Sequence, residues 1–293
     1  MFILPKFVFH EPRDISEACK MISELNGSSK IIAGGTDILV NMKKGLLSPK
    51  YLVSVAKIAG MSEIEPGNGT ISIGAHLIVA KLAEFDIIRT KLPSLAKAAS
   101  VLGSPLIRNR ATIGGNIVTA RPAADLPPPL LAMGAKVKLE SAKGAREIAL
   151  DDFFTGPGTT VMKPDEILSR VIIDEMPPFT GNDYIKLGHR KALEIAIVAV
   201  ASRITLDGPD GTIKEARVIL SSVAPKAIHA VSAEKALTGE KPTEALVKKA
   251  AQLAGTDCSP ITDIRGGAGY RCAMVEALTK RTLLAAIQEA RGK

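Results

Sequence analysis

Two glycine-rich stretches decide the fold of this chain: AGGTD at residues 33–37 and ATIGGNI at residues 111–117. Each contains a glycine pair followed by a small polar residue, Thr36 in the first stretch and Asn116 in the second. The apolar pair Ile31-Ile32 precedes the first stretch and an apolar segment follows it, which predicts a strand, a glycine turn and a helix in succession. Neither stretch matches GxGxxG or the GxxxxGK motif, so the phosphate-binding motifs of Rossmann and P-loop proteins are absent from both.

Paired glycines suit the binding of a dinucleotide pyrophosphate. That group carries negative charge and many acceptor oxygens, so a protein must bring several backbone N–H groups close to it without Cβ atoms in the way. Charge-assisted hydrogen bonds contribute about 1.5 to 3 kcal/mol each, so several from two segments approach the ~8 kcal/mol of a micromolar affinity. A single glycine pair is more often only a tight turn. For each pair considered alone, a tight turn therefore remains the alternative interpretation.

The rest of the chain predicts a mixture of helices and antiparallel strands. Asp14 is a candidate N-cap, with Glu17 three residues later, so a helix is expected to begin there. Strand patterns follow at residues 51–55, 70–75, 136–140, 146–150 and 166–174. The C-terminal part predicts three antiparallel strands and then two helices, at residues 184–188, 195–205, 212–222, 244–254 and 269–290.

The prolines at positions 177 and 178 mark the predicted domain boundary. A chain of 293 residues is too long for one ordinary core, so two domains are expected. We predict a first domain of residues 1–177, with subdomains of about 1–56 and 57–177, and a second domain of residues 178–293.

Composition excludes several classes of protein. With 46% hydrophobic and 23% charged residues the chain is globular rather than disordered. It contains no run of 18 apolar residues of the kind that would predict a membrane span. The net charge is +8, but the basic residues are scattered and no nucleic-acid-binding motif occurs, so a basic docking face is favoured over nucleic-acid binding. Only 3% of the residues are aromatic, so a flat cofactor would be held by backbone and aliphatic groups.

The cysteines Cys19, Cys258 and Cys272 lie far apart, without the CxxC spacing typical of zinc or iron-sulfur sites. We interpret them as buried thiols. Few cysteines, together with an N-terminus that lacks the features of a secretory signal, predict a cytoplasmic protein.

Together with RPAADL at residues 121–126, the two glycine stretches resemble the FAD-binding signature of the molybdenum hydroxylase flavoprotein subunits. These include the medium subunit of aerobic carbon monoxide dehydrogenase and the flavin domain of xanthine dehydrogenase. KLGHR at residues 186–190 and ITDIRG at residues 261–266 are similar to the family's C-terminal domain. The resemblance implies an α+β fold: a two-lobed FAD-binding part of the vanillyl-alcohol-oxidase-like type, then a C-terminal α+β domain with a three-stranded antiparallel sheet and helices.

The resemblance also implies a set of cofactor-binding residues. The glycine stretches would hold the FAD diphosphate and adjoining groups, Asp125 matches a position on the flavin side, and Lys186 matches a basic residue near the isoalloxazine. From the residues alone, Asp125 could equally be a turn carboxylate and Lys186 a solvated strand lysine. The full predicted set is Ile32, Ala33, Gly34, Gly35, Thr36, Asp37, Leu102, Ala111, Thr112, Ile113, Gly114, Gly115, Asn116, Thr119, Asp125 and Lys186.

Two further features bear on the flavin. Where some relatives place an aromatic side chain over the ring, this chain has Val101-Leu102 and Ile195, which predicts aliphatic cover. None of the histidines lies in a glycine stretch, so non-covalent FAD is expected; they are His10, His76, His189 and His229.

By this resemblance the chain transfers electrons between [2Fe-2S] clusters of a small partner subunit and an external acceptor such as NAD. The molybdenum cofactor would lie on a separate large subunit, in a complex predicted to be a dimer of heterotrimers. We expect no catalytic residue and no metal ligand in this chain. The alternative function is a self-contained FAD-dependent oxidase or reductase with its own substrate pocket.

Overall fold

The structure, a computed structural model, describes residues 4–67, 69–190 and 192–292. The N-terminal layer contains β1 Val8–His10, α1 Ile15–Glu24, β2 Ser29–Ile32, α2 Ile38–Lys43 and β3 Tyr51–Ser54. Its three strands form a parallel sheet in the order β1-β3-β2. The predicted start of α1 is confirmed: Asp14 accepts a hydrogen bond from the Glu17 amide at 2.8 Å, and Glu17 in turn accepts one from the Arg13 amide at 2.8 Å.

The middle layer is a five-stranded antiparallel sheet with short helices at its side. Its strands are β4 Ile64–Gly67, β5 Thr70–Gly74, β6 Lys136–Ser141, β7 Gly144–Ala149 and β10 Ile167–Asp174, in the order β4-β5-β10-β6-β7. The helices between β5 and β6 are α3 Val79–Glu84, α4 Asp86–Lys91, α5 Pro93–Val101, α6 Pro105–Arg108, α7 Ile113–Val118 and α8 Pro127–Ala132. After β7 come a 3-10 helix, Leu150–Asp152, and the two-stranded pair β8 Phe154–Gly156 and β9 Thr159–Thr160.

The C-terminal layer is a four-stranded antiparallel sheet covered by helices. Its elements are β11 Thr180–Leu187, β12 Val198–Leu206, β13 Ile213–Ser221, β14 Ile228–His229, α9 Val231–Leu237, α10 Glu244–Asp257 and α11 Ala268–Arg291. Every residue of β12 is buried, because α11 contacts the strand and so does α8 of the middle layer. A Cβ on Gly181 would lie 2.0 Å from the Ala286 carbonyl oxygen, so α11 lies directly against β11. None of the described helices has the length and apolar character needed to cross a bilayer.

The predicted α+β class is confirmed, but several local predictions were wrong. The C-terminal sheet has four strands rather than three, because β14 is only two residues long and leaves no alternating pattern in the sequence. The second glycine pair lies in the first turn of α7 rather than in a loop. Cys258 and Cys272 are half-buried rather than buried; only Cys19 is inside the core.

His229 joins the C-terminal layer to the middle layer. Its Nδ1 lies 2.8 Å from Glu234 Oε1, and its Nε2 lies 2.8 Å from Asp151 Oδ1 in the 3-10 helix. The hydrogen bonds to Asp151 and then Glu234 raise the pKa of His229 to about 9, since both carboxylates favour the imidazolium. Asp151 responds in the opposite direction: its pKa is lowered, chiefly by the hydrogen bond from His229.

We expect this clamp to make stability depend on pH. Because the folded pKa of His229 is raised to about 9, its stabilising effect is fully present below the unfolded value near 6.5 and is lost as pH rises through 9. We predict that the free energy of unfolding falls by about 2 kcal/mol between pH ~6.5 and ~9.5. This is less than the full value of the pKa shift, because solvent at the partly exposed ring screens the interaction. Urea unfolding across this range measures it, with His229→Gln as the control. Equal pH dependence in both proteins would contradict the clamp.

Candidate functional site

A cleft of about 560 Å³ is formed where the N-terminal and middle layers meet. Both glycine stretches line it, together with aliphatic side chains from β10 and from the loop before α6. Its size falls within the range of small-molecule and cofactor pockets. The predicted site residues that line it are Ala33, Gly34, Gly35, Thr36, Asp37, Leu102, Ala111, Thr112, Gly114, Gly115, Asn116 and Thr119.

The two glycine stretches contact each other through their backbones. A Cβ built on Gly34 would lie 1.8 Å from the Arg110 carbonyl oxygen, a distance that no side chain can occupy. Gly35 has φ +77°, in the left-handed region that favours glycine. The first stretch therefore needs glycine at both positions: Gly34 for close approach to the second stretch, and Gly35 for the turn itself.

The first stretch presents a row of unpaired amides. Within the part of the chain that the structure describes, the backbone N–H groups of residues 34–38 have no hydrogen-bond acceptor. Asp37 precedes α2 but its side chain makes no capping bond, so the Ile38 amide has no acceptor from it, whereas the Leu39 amide donates to the Gly35 carbonyl at 3.1 Å. Buried or half-buried amides normally have a partner, so a row without one is available for an acceptor-rich ligand.

The second stretch differs, because its amides already have acceptors within the protein. Thr112 is the N-cap of α7, and its side chain accepts a hydrogen bond from the Gly115 amide at 3.1 Å. The other amide bonds are Ile113 to the Leu77 carbonyl, Gly114 to the Ala75 carbonyl and Asn116 to the Thr112 carbonyl, at 3.1, 2.8 and 3.0 Å. The stretch therefore supplies close approach rather than free donors: a Cβ on Gly114 would lie 2.8 Å from the Ala75 oxygen.

Asn116 connects the second stretch to the RPAADL segment. Its Oδ1 accepts a hydrogen bond from the Leu126 amide at 3.2 Å, while the residue itself lines the cleft. This bond holds the chain around Asp125 close to α7. Asp125 then extends away from the cleft towards the C-terminal sheet.

Asp125 and Lys186 form a buried ion pair outside the cleft lining. The distance from Lys186 Nζ to Asp125 Oδ2 is 2.9 Å, and both side chains are 8% exposed. Tyr184 donates to Asp125 Oδ1 at 3.0 Å, and Lys186 also donates to the Val101 carbonyl, at 3.3 Å. Burial raises the pKa of Asp125, with Lys186 acting against that shift, and burial raises the pKa of Tyr184 well above its usual value.

The other predicted residues outside the cleft have simple placements. Ile113 lies in the hydrophobic core, since it is on the inner face of α7, and Ile32 ends β2 beneath Gly35. Ile195, expected near the flavin, is 49% exposed and does not line the cleft. The buried ion pair rules out a solvated Lys186, whereas Asp125 lies in a bend before the prolines, as a turn carboxylate would, with its side chain buried.

Sequence reasoning missed several lining residues. Lys30 and Arg121 are exposed cations at the cleft, and Asn41 comes from α2. A sequence signal existed for Arg121, which belongs to the RPAADL segment. No signal pointed to the residues that the middle sheet brings in from far along the chain, which are Met61, Ala75, Gly158, Met162, Ile167 and Leu168. None of the described lining residues is aromatic.

Comparison with known families agrees with this geometry. A model of the FAD binding domain in molybdopterin dehydrogenase matches residues 5–175, and a model of the CO dehydrogenase flavoprotein C-terminal domain matches residues 183–286. The chain belongs to this flavoprotein family. It is therefore an FAD-binding subunit of the molybdenum hydroxylase type, and the family resemblance inferred from the glycine stretches is confirmed.

The relatives match over nearly the full length. The chain is 33% identical to the carbon monoxide dehydrogenase medium chain of Hydrogenophaga pseudoflava, covering 97% of this chain and 98% of that one. The solved carbon monoxide dehydrogenase of the same organism contains a chain that superposes with a TM-score of 0.92. The xanthine dehydrogenase FAD-binding subunit of Escherichia coli O157:H7 is 28% identical, covering 97% of both chains. These dehydrogenase relatives make the flavoprotein subunit part of an oxidoreductase, with FAD as its cofactor.

The contact of Gly34 with Arg110 generates a test of the cleft. We predict that Gly34→Ala lowers the FAD content at least tenfold, because the added methyl separates the two stretches. Gly208→Ala is the matched control, since a Cβ there meets nothing within 4 Å. Flavin absorbance per purified chain measures the effect, and circular dichroism shows whether the variant is folded. Full FAD content in folded Gly34→Ala would contradict the assignment of this cleft.

The buried ion pair generates a second test. Lys186→Met leaves Asp125 as an unpaired buried carboxylate, so we predict a loss of about 3 kcal/mol in the free energy of unfolding. The double variant Asp125→Asn with Lys186→Met should recover part of that loss. Lys57→Met is the control, because its ion pair with Glu11 is exposed and such pairs contribute about 1 kcal/mol or less. Additive effects of the two buried substitutions would contradict the coupling.

Proposed function

We propose that this flavoprotein subunit transfers electrons between [2Fe-2S] clusters of a small partner subunit and an external acceptor such as NAD. The observation that carries the proposal is the match of nearly the whole chain to subunits named as medium chains or FAD-binding subunits of dehydrogenases. A medium chain is one component of a larger enzyme. The organic substrate would therefore be oxidised elsewhere in the complex.

The geometry of the cleft supports FAD as the group held there. Unpaired amides at residues 34–38 would bind the diphosphate oxygens, because none of them has an acceptor among the described residues. Lys30 and Arg121 would add positive charge opposite the phosphates. Thr36, Asn116 and Thr119 supply side-chain polar groups to the cleft lining.

The aliphatic lining has a separate role. When bound, FAD would accept electrons one at a time from the clusters and pass them on as a pair, which couples cluster chemistry to a two-electron acceptor. Leu102 and Leu168 would exclude water from one part of the cleft. The buried Asp125 carboxylate and Lys186 ammonium lie next to Leu102, since Lys186 bonds to the Val101 carbonyl, and would set the electrostatic field on that side.

The other redox centres are proposed to lie on partner chains. A [2Fe-2S] cluster takes about four cysteine ligands, and this chain has only 3 cysteines in all. Among the described residues, no group of three or more His, Cys, Asp or Glu side chains could hold a metal ion. We propose a molybdenum-cofactor large subunit and a [2Fe-2S] small subunit as partners, in a dimer of heterotrimers that light scattering of the purified complex would test.

The decisive experiment compares the complete complex with one that contains Gly34→Ala in this chain. Substrate added to the wild-type complex should reduce the clusters, then FAD, and then NAD. In the variant complex we expect substrate still to bleach the cluster absorbance, with NADH formation reduced at least a hundredfold. A complex that contains Gly208→Ala in this chain, tested in the same way, should behave as the wild-type complex does. NADH formation by a flavin-free complex at the wild-type rate would overturn the proposal.

The isolated FAD-loaded chain provides the complementary measurement. If the chain is an electron-transfer subunit, organic substrates of the complex should leave its flavin oxidised. Substrate-dependent flavin reduction by the isolated chain would instead support a self-contained oxidase or reductase.

We also propose a cytoplasmic location, because all three cysteines are free thiols, as in a reducing compartment. Cell fractionation would test this, and recovery of the protein from a secreted or periplasmic fraction would contradict it.

A further inference from the structure

Two cysteines of the C-terminal layer lie in contact with each other. Cys258 is the C-cap of α10, and Cys272 lies in the second turn of α11. Their sulfur atoms are 3.1 Å apart, although the residues are separated by fourteen positions. Both side chains are half-buried, so solvent reaches them, whereas Cys19 is buried in the main core.

The backbone around both thiols is held in place by other contacts. The Ser259 amide donates to the Val223 carbonyl at 2.9 Å, which anchors the chain just after Cys258. Asp263 accepts from Arg271 Nη2 at 2.6 Å, which anchors the chain just before Cys272. Arg271 is itself buried and donates to the Ser222 carbonyl at 2.9 Å. The sulfur contact is therefore a consequence of the fold on both sides of the loop.

We propose that Cys258 and Cys272 are a modification site at which a peroxide-class oxidant forms a reversible intramolecular disulfide. The sulfurs would have to approach from 3.1 Å to about 2 Å for the bond to form. Nothing in the electron-transfer function requires this pair. The inference stands on the geometry of α10 and α11 alone.

The chemistry proceeds in two balanced steps. The Cys272 thiol is oxidised by hydrogen peroxide to a sulfenic acid, and one water is released. The Cys258 sulfur then attacks the Cys272 sulfur, so the S–S bond forms as the S–O bond breaks, and the hydroxyl leaves with the Cys258 proton as a second water. Two thiols have lost two electrons in total, and one peroxide has accepted them. A dithiol reductant reverses the change by thiol exchange.

The hydrogen bonding around Cys258 favours its neutral form. Cys258 Sγ donates towards Cys272 Sγ and lies 3.2 Å from the Gly255 carbonyl. Burial, followed by the contact with Cys272, raises the pKa of Cys258 to about 12, so this sulfur remains a thiol at neutral pH. Since the thiolate is the reactive form, the closing step should accelerate as pH rises.

The sequence makes the product straightforward to detect. Trypsin places Cys258 in the peptide of residues 250–265, Cys272 in that of residues 272–280 and Cys19 in that of residues 14–20. The FAD-loaded full chain would be treated with hydrogen peroxide, unfolded in urea and alkylated, and then digested without reductant. We expect mass spectrometry to find the first two peptides joined, and the Cys19 peptide alkylated.

Variants and a second readout complete the test. Cys258→Ser should abolish the joined peptides, and Cys19→Ser should leave them unchanged. Because the bond closes the segment between α10 and α11, the melting temperature of the oxidised chain should rise by about 5 °C and return after reduction. Disulfide-linked dimers on a non-reducing gel, or separately over-oxidised Cys258 and Cys272 peptides, would overturn the proposal.

Discussion

The contact between the Gly34 backbone and the Arg110 carbonyl holds the site together. It brings the turn after β2 of the parallel sheet against the segment before α7, which belongs to the middle layer. Because the distance leaves no room for a Cβ, the two layers meet backbone to backbone at this point. The cleft exists beside this contact, and its walls come from both layers. Any side chain at position 34 would widen the junction that shapes the cleft.

The two glycine pairs resemble each other in sequence and have different physical roles. Gly34 and Gly35 belong to a turn whose following amides have no acceptor among the described residues, so this stretch can give hydrogen bonds to a ligand. Gly114 and Gly115 lie in α7, whose amides are satisfied by Thr112 and by the segment around Ala75. The second pair thus allows a helix to approach a neighbouring strand closely. Of the two stretches, only the first has a row of backbone donors without an acceptor among the described residues.

The C-terminal layer contributes through buried polar contacts rather than through the cleft lining. Lys186 of β11 extends to Asp125 of the middle layer, and Tyr184 on the same strand reaches the other oxygen of that carboxylate. Burying such a pair is costly unless its hydrogen bonds are satisfied, and here each charged group has a partner. His229 makes a further polar link between the same two layers, on the side of the 3-10 helix. These links fix the orientation of the C-terminal sheet against the flavin-binding part.

The sequence alone determined the α+β class, the long C-terminal helices, most of the longer strands, and the two glycine stretches that line the cleft. Glycine pairs, the capping residues Asp14 and Glu17, and alternating strands are local patterns, so they can be read without the rest of the molecule. The family resemblance also came from short contiguous motifs. The same local reasoning failed for β14, which is too short for a pattern, and for α7, where tertiary contacts with Ala75 select a helix over a turn.

Only the tertiary structure decided which groups meet across long separations. Asp125 and Lys186 are 61 residues apart, and nothing in either local sequence indicates that both are buried against each other. The Cys258 and Cys272 contact likewise depends on how α10 and α11 cross. The amides at residues 34–38 are available because no distant described segment supplies an acceptor. The amides at the start of α7 are paired because distant segments do supply acceptors. Local sequence encodes conformation, whereas hydrogen-bond satisfaction and burial are properties of the assembled fold.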